Sequence, residues 1–152
     1  DYMKVYEEIK SLKDVCGDIH LKTILEIGEL KTYENIKKAS VIALCAGSDF
    51  IKTSTGKISN GSSREACLVM ARTVREFQSY GYGMRGIKVA GGIRSSKDAI
   101  RYLVIINEEL GSSWLSPDYF RFGASSLLDD VLRQIKKLKT NAYQSSYYFP
   151  RG

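Results

Sequence analysis

The 152-residue sequence contains no apolar run of membrane-spanning length and no recognisable leader segment. Its longest apolar stretches, such as residues 39–46, fall far short of the roughly 20 residues that a spanning helix needs. Residues 1–13 are charged and amphipathic, without the apolar centre of a secretory signal peptide. We therefore expect no association with a membrane.

Cysteine and histidine are also scarce, which argues against a metal site. The chain has three cysteines, Cys16, Cys45 and Cys67, and one histidine, His20, and none of them has the spacing of metal ligands. An odd number of scattered cysteines is typical of free thiols in a reducing compartment. The sequence therefore predicts a cytoplasmic protein that binds no metal.

The charge balance is basic but selects no partner. Twenty-three Lys and Arg residues against 17 Asp and Glu residues give a net charge of +6. Such a surface suits nucleic acid, an anionic membrane or a small phosphorylated ligand, and it is equally typical of an ordinary solvated surface with a basic tail. The sequence has no long run of Lys and Arg and no aromatic-rich RNA-binding motif. We therefore do not expect nucleic acid as a partner.

Helical and strand-like segments alternate along the chain. Periodicity predicts helices over 2–15, 32–46, 64–80, 96–109 and 125–138, with Thr32 and Ser96 as the caps of the second and fourth, and strands over 20–27, 49–53, 86–90 and 119–122. A hydrophobic fraction of 43% is enough for one compact domain, which we place at 1–138, followed by a polar, tyrosine-rich and mobile tail at 139–152. This order predicts a parallel sheet covered by helices. Two architectures fit it, an open doubly wound sheet or half of an eight-stranded barrel.

Three successive predicted strands each carry a lysine on the same face, namely Lys22, Lys52 and Lys88. Because side chains alternate along a strand, the aliphatic neighbours of these lysines lie on the opposite face, where the helices pack. One such lysine would be an ordinary side chain that reaches solvent at a strand end. Three on one face repel one another, which lowers the pKa of at least one and frees its amine as a nucleophile. The pattern predicts Schiff-base chemistry.

Glycine-rich turns follow three of the predicted strands. They are Thr55-Gly56-Lys57, Gly91-Gly92-Ile93-Arg94 and Gly123-Ala124-Ser125-Ser126. Each follows the carboxyl end of its strand, which is where parallel α/β folds place their sites. Glycine lets backbone N–H groups approach an anion closely, and the helix that follows begins with an electropositive end. Each turn alone is more often a plain connection, but together with Lys57 and Arg94 they predict a phosphate cradle.

These segments resemble the deoxyribose-phosphate aldolases. The segment DFIKTSTGK, at 49–57, is similar to the Schiff-base signature of that family. LKTILEIGEL at 21–30, IKVAGGIR at 87–94 and FGASS at 122–126 resemble the preceding, following and last strands of its fold. The resemblance extends from about residue 5 to about residue 135 and is closest to the eukaryotic-type members.

The resemblance implies an α/β fold of the (β/α)8 TIM-barrel type, of which this chain holds about the last four β/α units, a half-barrel. It implies a cofactor-free class I aldolase, an aldehyde-lyase of deoxyribonucleotide catabolism that reversibly cleaves 2-deoxy-D-ribose 5-phosphate to D-glyceraldehyde 3-phosphate and acetaldehyde. By the same resemblance Lys52 forms the imine, Lys88 lowers its pKa and takes part in proton transfer, and Lys22 joins their polar network. The substrate phosphate would be held by Gly56, Lys57, Gly91, Gly92, Arg94, Gly123, Ser125 and Ser126. A carboxyl-terminal tyrosine serves the family as a proton shuttle, and the candidates here are Tyr143, Tyr147 and Tyr148.

The sequence also departs from the family pattern. Val89 stands where a proline is usual, Ile27 where a threonine is usual, and residues 60–63 differ from the usual segment. The family's catalytic aspartate lies on a strand upstream of residue 1. Two interpretations remain open, a piece of a longer aldolase or a non-catalytic half-barrel that binds phosphosugar or assembles with another chain. In both we expect a homo-oligomer or association with an amino-terminal half, because four strands alone expose two sheet edges.

Overall fold

A computed structural model describes residues 1–57, 61–145 and 148–149 of the chain. Within these ranges the predicted helices and strands occur in the predicted order, with two additional short helices. The helices are α1 (Tyr2–Cys16), α2 (Ile27–Leu30), α3 (Tyr33–Cys45), α4 (Arg64–Ser79), α5 (Ser96–Leu110) and α6 (Leu127–Thr140), with a 3-10 helix at Ser112–Trp114. The strands are β1 (Lys22–Ile24), β2 (Phe50–Lys52), β3 (Gly86–Ala90) and β4 (Phe120–Gly123).

The four strands form one parallel sheet in the order β1-β2-β3-β4. Each strand pairs with the next one along the chain, and the connection between them is helical. A doubly wound sheet reverses its strand order at a switch point, whereas a barrel adds each new strand on the same side. The described sheet has no reversal, so it is an arc of a barrel.

Local sequence explains where the helices begin. Thr32, Ser63 and Ser95 each accept a hydrogen bond from the backbone N–H three residues later, which satisfies an otherwise unpaired donor of the first turn. The predicted cap at Ser96 was therefore wrong by one residue. The backbone N–H and the hydroxyl of Ser96 both donate to the Asp130 carboxylate at 2.7 Å, which ties α5 to α6.

The core lies between the sheet and its helices. Ile51, Ile87 and Val89 are completely buried in a cluster that includes side chains of α3, α4 and α5, which confirms the predicted aliphatic face of the strands. Val89 and Ile27, two of the departures from the family pattern, are both buried in this core. All three cysteines are free, as predicted, and burial raises the pKa of Cys67 to about 12.

The first strand and the last helix differ most from prediction. The strand predicted over 20–27 ends at Ile24, because the chain turns at Glu26, whose φ of 50° is left-handed, and then forms α2. Helix α6 starts at Leu127 and continues to Thr140, two residues beyond its predicted end. In the described part of the chain no helix has both the length and the apolar character needed to cross a membrane.

Candidate active site

The strand register places the three lysines on one face of the sheet. Lys52 of β2 pairs directly with Lys88 of β3, and on its other side with Ile24 of β1. Lys22 pairs with Phe50, two residues nearer the start of each strand. Paired residues of parallel strands point the same way, and neighbouring strands lie about 4.8 Å apart. Lys52 and Lys88 are therefore immediate neighbours, and Lys22 lies one row below them.

A fourth cation, Arg121, lies on this face and is not among the site residues predicted from the sequence. It pairs with Lys88 across β3 and β4. Its guanidinium carbon lies 4.6 Å from the centre of the Phe50 ring, and the Lys22 ammonium lies 5.5 Å from the same centre. Gly86 leaves room for that ring, since a Cβ there would lie 2.2 Å from a ring carbon. In the sequence Arg121 stands between Phe120 and Phe122. This alternation was the signal that could have placed Arg121 on the opposite face of the strand from the two phenylalanines.

Burial and neighbouring cations lower the pKa of two of the lysines. For Lys52 the largest cause is loss of solvation, followed by repulsion from Lys88, while the Glu26 carboxylate acts in the opposite direction. For Lys22 loss of solvation is again first, followed by Lys88, Arg121 and Lys52. The sequence pattern predicted only repulsion among the lysines, because burial depends on the tertiary fold. Both effects favour the neutral amine, which is the nucleophilic form.

Two buried hydroxyl groups fix the strand ends beside Lys52 and Lys88. The Thr53 hydroxyl accepts from the Ala90 N–H and donates to the Ala90 carbonyl, both at 2.9 Å. The Ser54 hydroxyl also donates to that carbonyl, at 2.8 Å. Both side chains are completely buried. These bonds join the ends of β2 and β3 and so hold the two lysine-bearing strands in register.

The glycine-rich turns follow β2, β3 and β4 at one edge of the sheet. Gly56, Gly91 and Gly92 have φ values of 85°, 101° and 80°, which side chains with a Cβ rarely adopt. A Cβ at Gly91 would lie 2.5 Å from the Gly61 Cα, whereas one at Gly56 or Gly92 would meet nothing within 4 Å. A Cβ at Gly123 would lie 2.9 Å from the side chain of Lys88. The turns thus combine close contacts at Gly91 and Gly123 with open space at Gly56 and Gly92.

The polar residues of the predicted cradle lie at the same edge. Lys57, Arg94 and Ser125 are exposed to solvent. Ser126 occupies the N-cap position of α6 without a capping bond from its side chain. The amino-terminal end of α6 therefore lies at this edge, and the Ser126 hydroxyl does not accept from its backbone N–H groups. Such a helix end favours the binding of an anion.

The candidate proton-shuttle tyrosines have their described contacts on α6. Tyr143 lies against Lys137, whose ammonium is 3.9 Å from the ring centre, and its hydrogen bond to Lys137 lowers the pKa of Tyr143. The Tyr148 ring lies 5.9 Å from the Lys136 ammonium. Tyr147 lies outside the described residues. These contacts do not bring a tyrosine to the lysine cluster.

Several known proteins have sequences similar to that of this chain. Residues 2–133 match the model of the DeoC/LacD family aldolases. The chain is 48% identical over 146 residues to a human deoxyribose-phosphate aldolase, covering 96% of this chain and 46% of the human protein. It is 46% identical over 146 residues to the mouse deoxyribose-phosphate aldolase, with the same coverage of 96% and 46%. The chain thus spans about half the length of these curated relatives.

Solved structures give the same result for the fold. A crystal structure of a candidate deoxyribose-phosphate aldolase from Toxoplasma gondii superimposes with a TM-score of 0.79 at 26% identity, over 86% of this chain and 51% of that one. Another, from Coccidioides immitis, gives a TM-score of 0.72 at 27% identity, over 88% and 46% of the two chains. The expected half of a TIM-barrel fold is thereby confirmed. The chain belongs to the DeoC/LacD aldolase family.

Proposed function

We propose that this chain carries the Schiff-base and phosphate-binding half of a deoxyribose-phosphate aldolase. The observation that carries the proposal is the pairing of Lys52 with Lys88 on a face where burial and Lys88 together lower the pKa of Lys52. Glycine-rich turns border this face on the side where the strands end. The arrangement supplies a nucleophilic amine and, beside it, an anion site for the other end of a phosphosugar.

The proposed reaction begins at the Lys52 amine. The neutral amine attacks the C1 aldehyde carbon of open-chain 2-deoxy-D-ribose 5-phosphate, and loss of water leaves a protonated imine. Removal of the C3 hydroxyl proton then breaks the C2–C3 bond, whose electron pair moves to C2 and is delocalised onto the imine nitrogen. Glyceraldehyde 3-phosphate leaves, the resulting enamine takes up a proton at C2, and water releases acetaldehyde from Lys52.

The neighbouring cations have distinct proposed roles. Lys88 keeps Lys52 partly neutral by repulsion and takes part in the proton transfers, since it is the group paired with Lys52 across the sheet. Lys22 belongs to the same polar network. The phosphate would be held by backbone N–H groups and side chains at Gly56, Lys57, Gly91, Gly92, Arg94, Gly123, Ser125 and Ser126.

Reductive trapping tests the proposal. Borohydride added with deoxyribose 5-phosphate should reduce the imine and leave a stable adduct, which peptide mass spectrometry should locate at Lys52. The variant Lys37→Met removes an exposed lysine from α3 and should be trapped like the unmodified chain. An adduct at Lys88 or Lys22 would reverse the assigned roles, and no adduct at any lysine would overturn the proposed chemistry.

A second candidate function is binding without turnover, as a half-barrel that pairs with another chain. The observation behind it is the β1 edge, where Ile24 is 42% exposed and a groove of about 380 Å³ opens between β1, α1 and α3. An aldolase that needs a complementary half and a binding protein both require a partner at this edge. We propose that the partner is a second copy of the chain or an amino-terminal half of the barrel.

We also propose a cytoplasmic location, which the free thiols support.

A further inference from the structure

The carboxylate of Glu26 holds the turn that follows β2. Both of its oxygens accept from the Thr55 backbone N–H, at 3.2 and 3.3 Å, and one accepts from the Thr55 hydroxyl at 2.6 Å. The same hydroxyl accepts from the Lys57 N–H at 3.3 Å. Glu26 is therefore connected through Thr55 to Lys57, which lies in the predicted phosphate cradle.

The backbone of Glu26 is strained in a way that supports a functional role. Its φ of 50° and ψ of 62° are left-handed, a conformation that glycine adopts easily and that other residues avoid. The flanking residues fix it, since the Leu25 N–H donates to the Lys52 carbonyl and the Ile27 N–H to the Thr53 carbonyl, both at 2.9 Å. A glycine would fit this turn better but would supply no carboxylate. Strain of this kind is concentrated at functional sites.

Glu26 is also the acidic group that acts on Lys52. Lys88 from β3 and the loss of solvation lower the pKa of Lys52, and Glu26 raises it. Lys22 from β1 belongs to the same cluster, since the charge of Lys52 is one of the causes that lower the pKa of Lys22. Glu26 therefore partly offsets the effects of burial and of Lys88 on the pKa of Lys52.

We propose that Glu26 is a positioning residue of this site, which fixes the Thr55–Lys57 turn for the phosphate end of the substrate and balances the charge around Lys52. The proposal deepens the proposed aldolase function and rests on it for the identity of the substrate. The two actions are separable, because one uses the hydrogen bonds to Thr55 and the other uses the negative charge.

Two conservative variants of the full chain separate them. Glu26→Gln keeps an oxygen acceptor for Thr55 and removes the charge, and Thr55→Val removes the hydroxyl and keeps the charge. The matched control is Glu29→Gln, which removes an exposed carboxylate three residues away in α2. A fourth variant, Glu26→Gly, relieves the left-handed strain and so should fold even if Glu26→Gln does not, while it removes both actions.

Two measurements test the effect on the charge of Lys52 and the effect on phosphate binding separately, and neither depends on turnover. Competitive labelling of amines across a pH series, followed by mass spectrometry of the Lys52 peptide, gives the pH midpoint of Lys52. Calorimetry with deoxyribose 5-phosphate and with inorganic phosphate gives the affinity of the anion site. Borohydride trapping on the unmodified chain tests the aldolase function itself.

The expected results differ for each variant. Glu26→Gln should move the Lys52 midpoint to lower pH and leave phosphate affinity nearly unchanged. Thr55→Val should leave the midpoint in place and weaken both ligands roughly 2- to 10-fold, the effect of one lost hydrogen bond, and Thr55→Ser should restore them. Glu26→Gly should show both changes, and Glu29→Gln neither.

The proposal fails if Glu26→Gln and Glu26→Gly leave the midpoint where Glu29→Gln leaves it, or if Thr55→Val binds both ligands as tightly as the unmodified chain. Absence of a trapped adduct on the unmodified chain would instead overturn the aldolase function. The labelling and affinity results would then still decide whether Glu26 positions an anion site beside Lys52.

Discussion

Replacing Gly91 and Gly92 separately with alanine should distinguish backbone strain from close packing at the turn after β3. Both glycines have left-handed φ values, 101° and 80°, so each alanine meets a similar conformational penalty. Only at Gly91 does the added Cβ collide with other atoms, 2.5 Å from the Gly61 Cα and 2.9 Å from the Ser54 hydroxyl. At Gly92 nothing lies within 4 Å. The two variants therefore differ by the contact alone.

The magnitudes follow from these two terms. A left-handed conformation costs a residue with a Cβ roughly 1–2 kcal/mol, and that is the whole loss of stability expected for Gly92→Ala. Forcing a methyl group into a filled space adds about 1–3 kcal/mol, so Gly91→Ala should lose roughly 2–5 kcal/mol in total. Since small domains are stable by about 5–15 kcal/mol, the difference should be large enough to measure.

Urea denaturation provides the assay. The single tryptophan, Trp114, is 3% exposed and donates from its ring N–H to the Arg85 carbonyl at 2.9 Å, so its fluorescence should report unfolding. Gly91→Ala should unfold at a distinctly lower urea concentration than Gly92→Ala. The dependence of the unfolding free energy on urea concentration should be the same for both variants. Equal midpoints would refute the reasoning, because they would mean that the Gly61 backbone moves aside at little cost.

Three further predictions concern the site and the proposed partner. Lys88→Leu removes a charge that lowers the pKa of Lys52, so that pKa should rise and borohydride trapping at neutral pH should slow, with the pH profile displaced upward; an unchanged profile would contradict the coupling. Gly92→Leu should raise KM for deoxyribose 5-phosphate far more than for unphosphorylated deoxyribose in a steady-state assay, and equal losses would make the turn structural only. Residues 1–152 alone should self-associate in sedimentation. They should cleave the sugar phosphate about 10²–10⁴-fold more slowly than an aldolase that has the family's upstream catalytic aspartate, because a general acid–base group contributes about that much. A fully active monomer would contradict this.

Much of the secondary structure could be read from the sequence because it depends on local periodicity. The alternation of lysine with aliphatic residues in the predicted strands set the two faces of the sheet, and the buried face was confirmed at Ile51, Ile87 and Val89. Thr32 was recognised as a helix cap because its capping bond reaches only three residues along the chain. The Ser95 cap was misplaced by one residue because two adjacent serines suit the position equally well by sequence.

The sequence by itself predicted the candidate site residues and determined on which face of each strand the lysines lie, since the first depends on side-chain type and the second on a period of two. Only the tertiary structure decided that Lys52 pairs with Lys88 and that Arg121 joins them, because register is set by packing between strands distant in the chain. It also decided that burial lowers the pKa of Lys52 more than repulsion does, and that the Glu26 carboxylate accepts a hydrogen bond from Thr55. Solvent exclusion and contacts across 29 residues arise only when the chain folds.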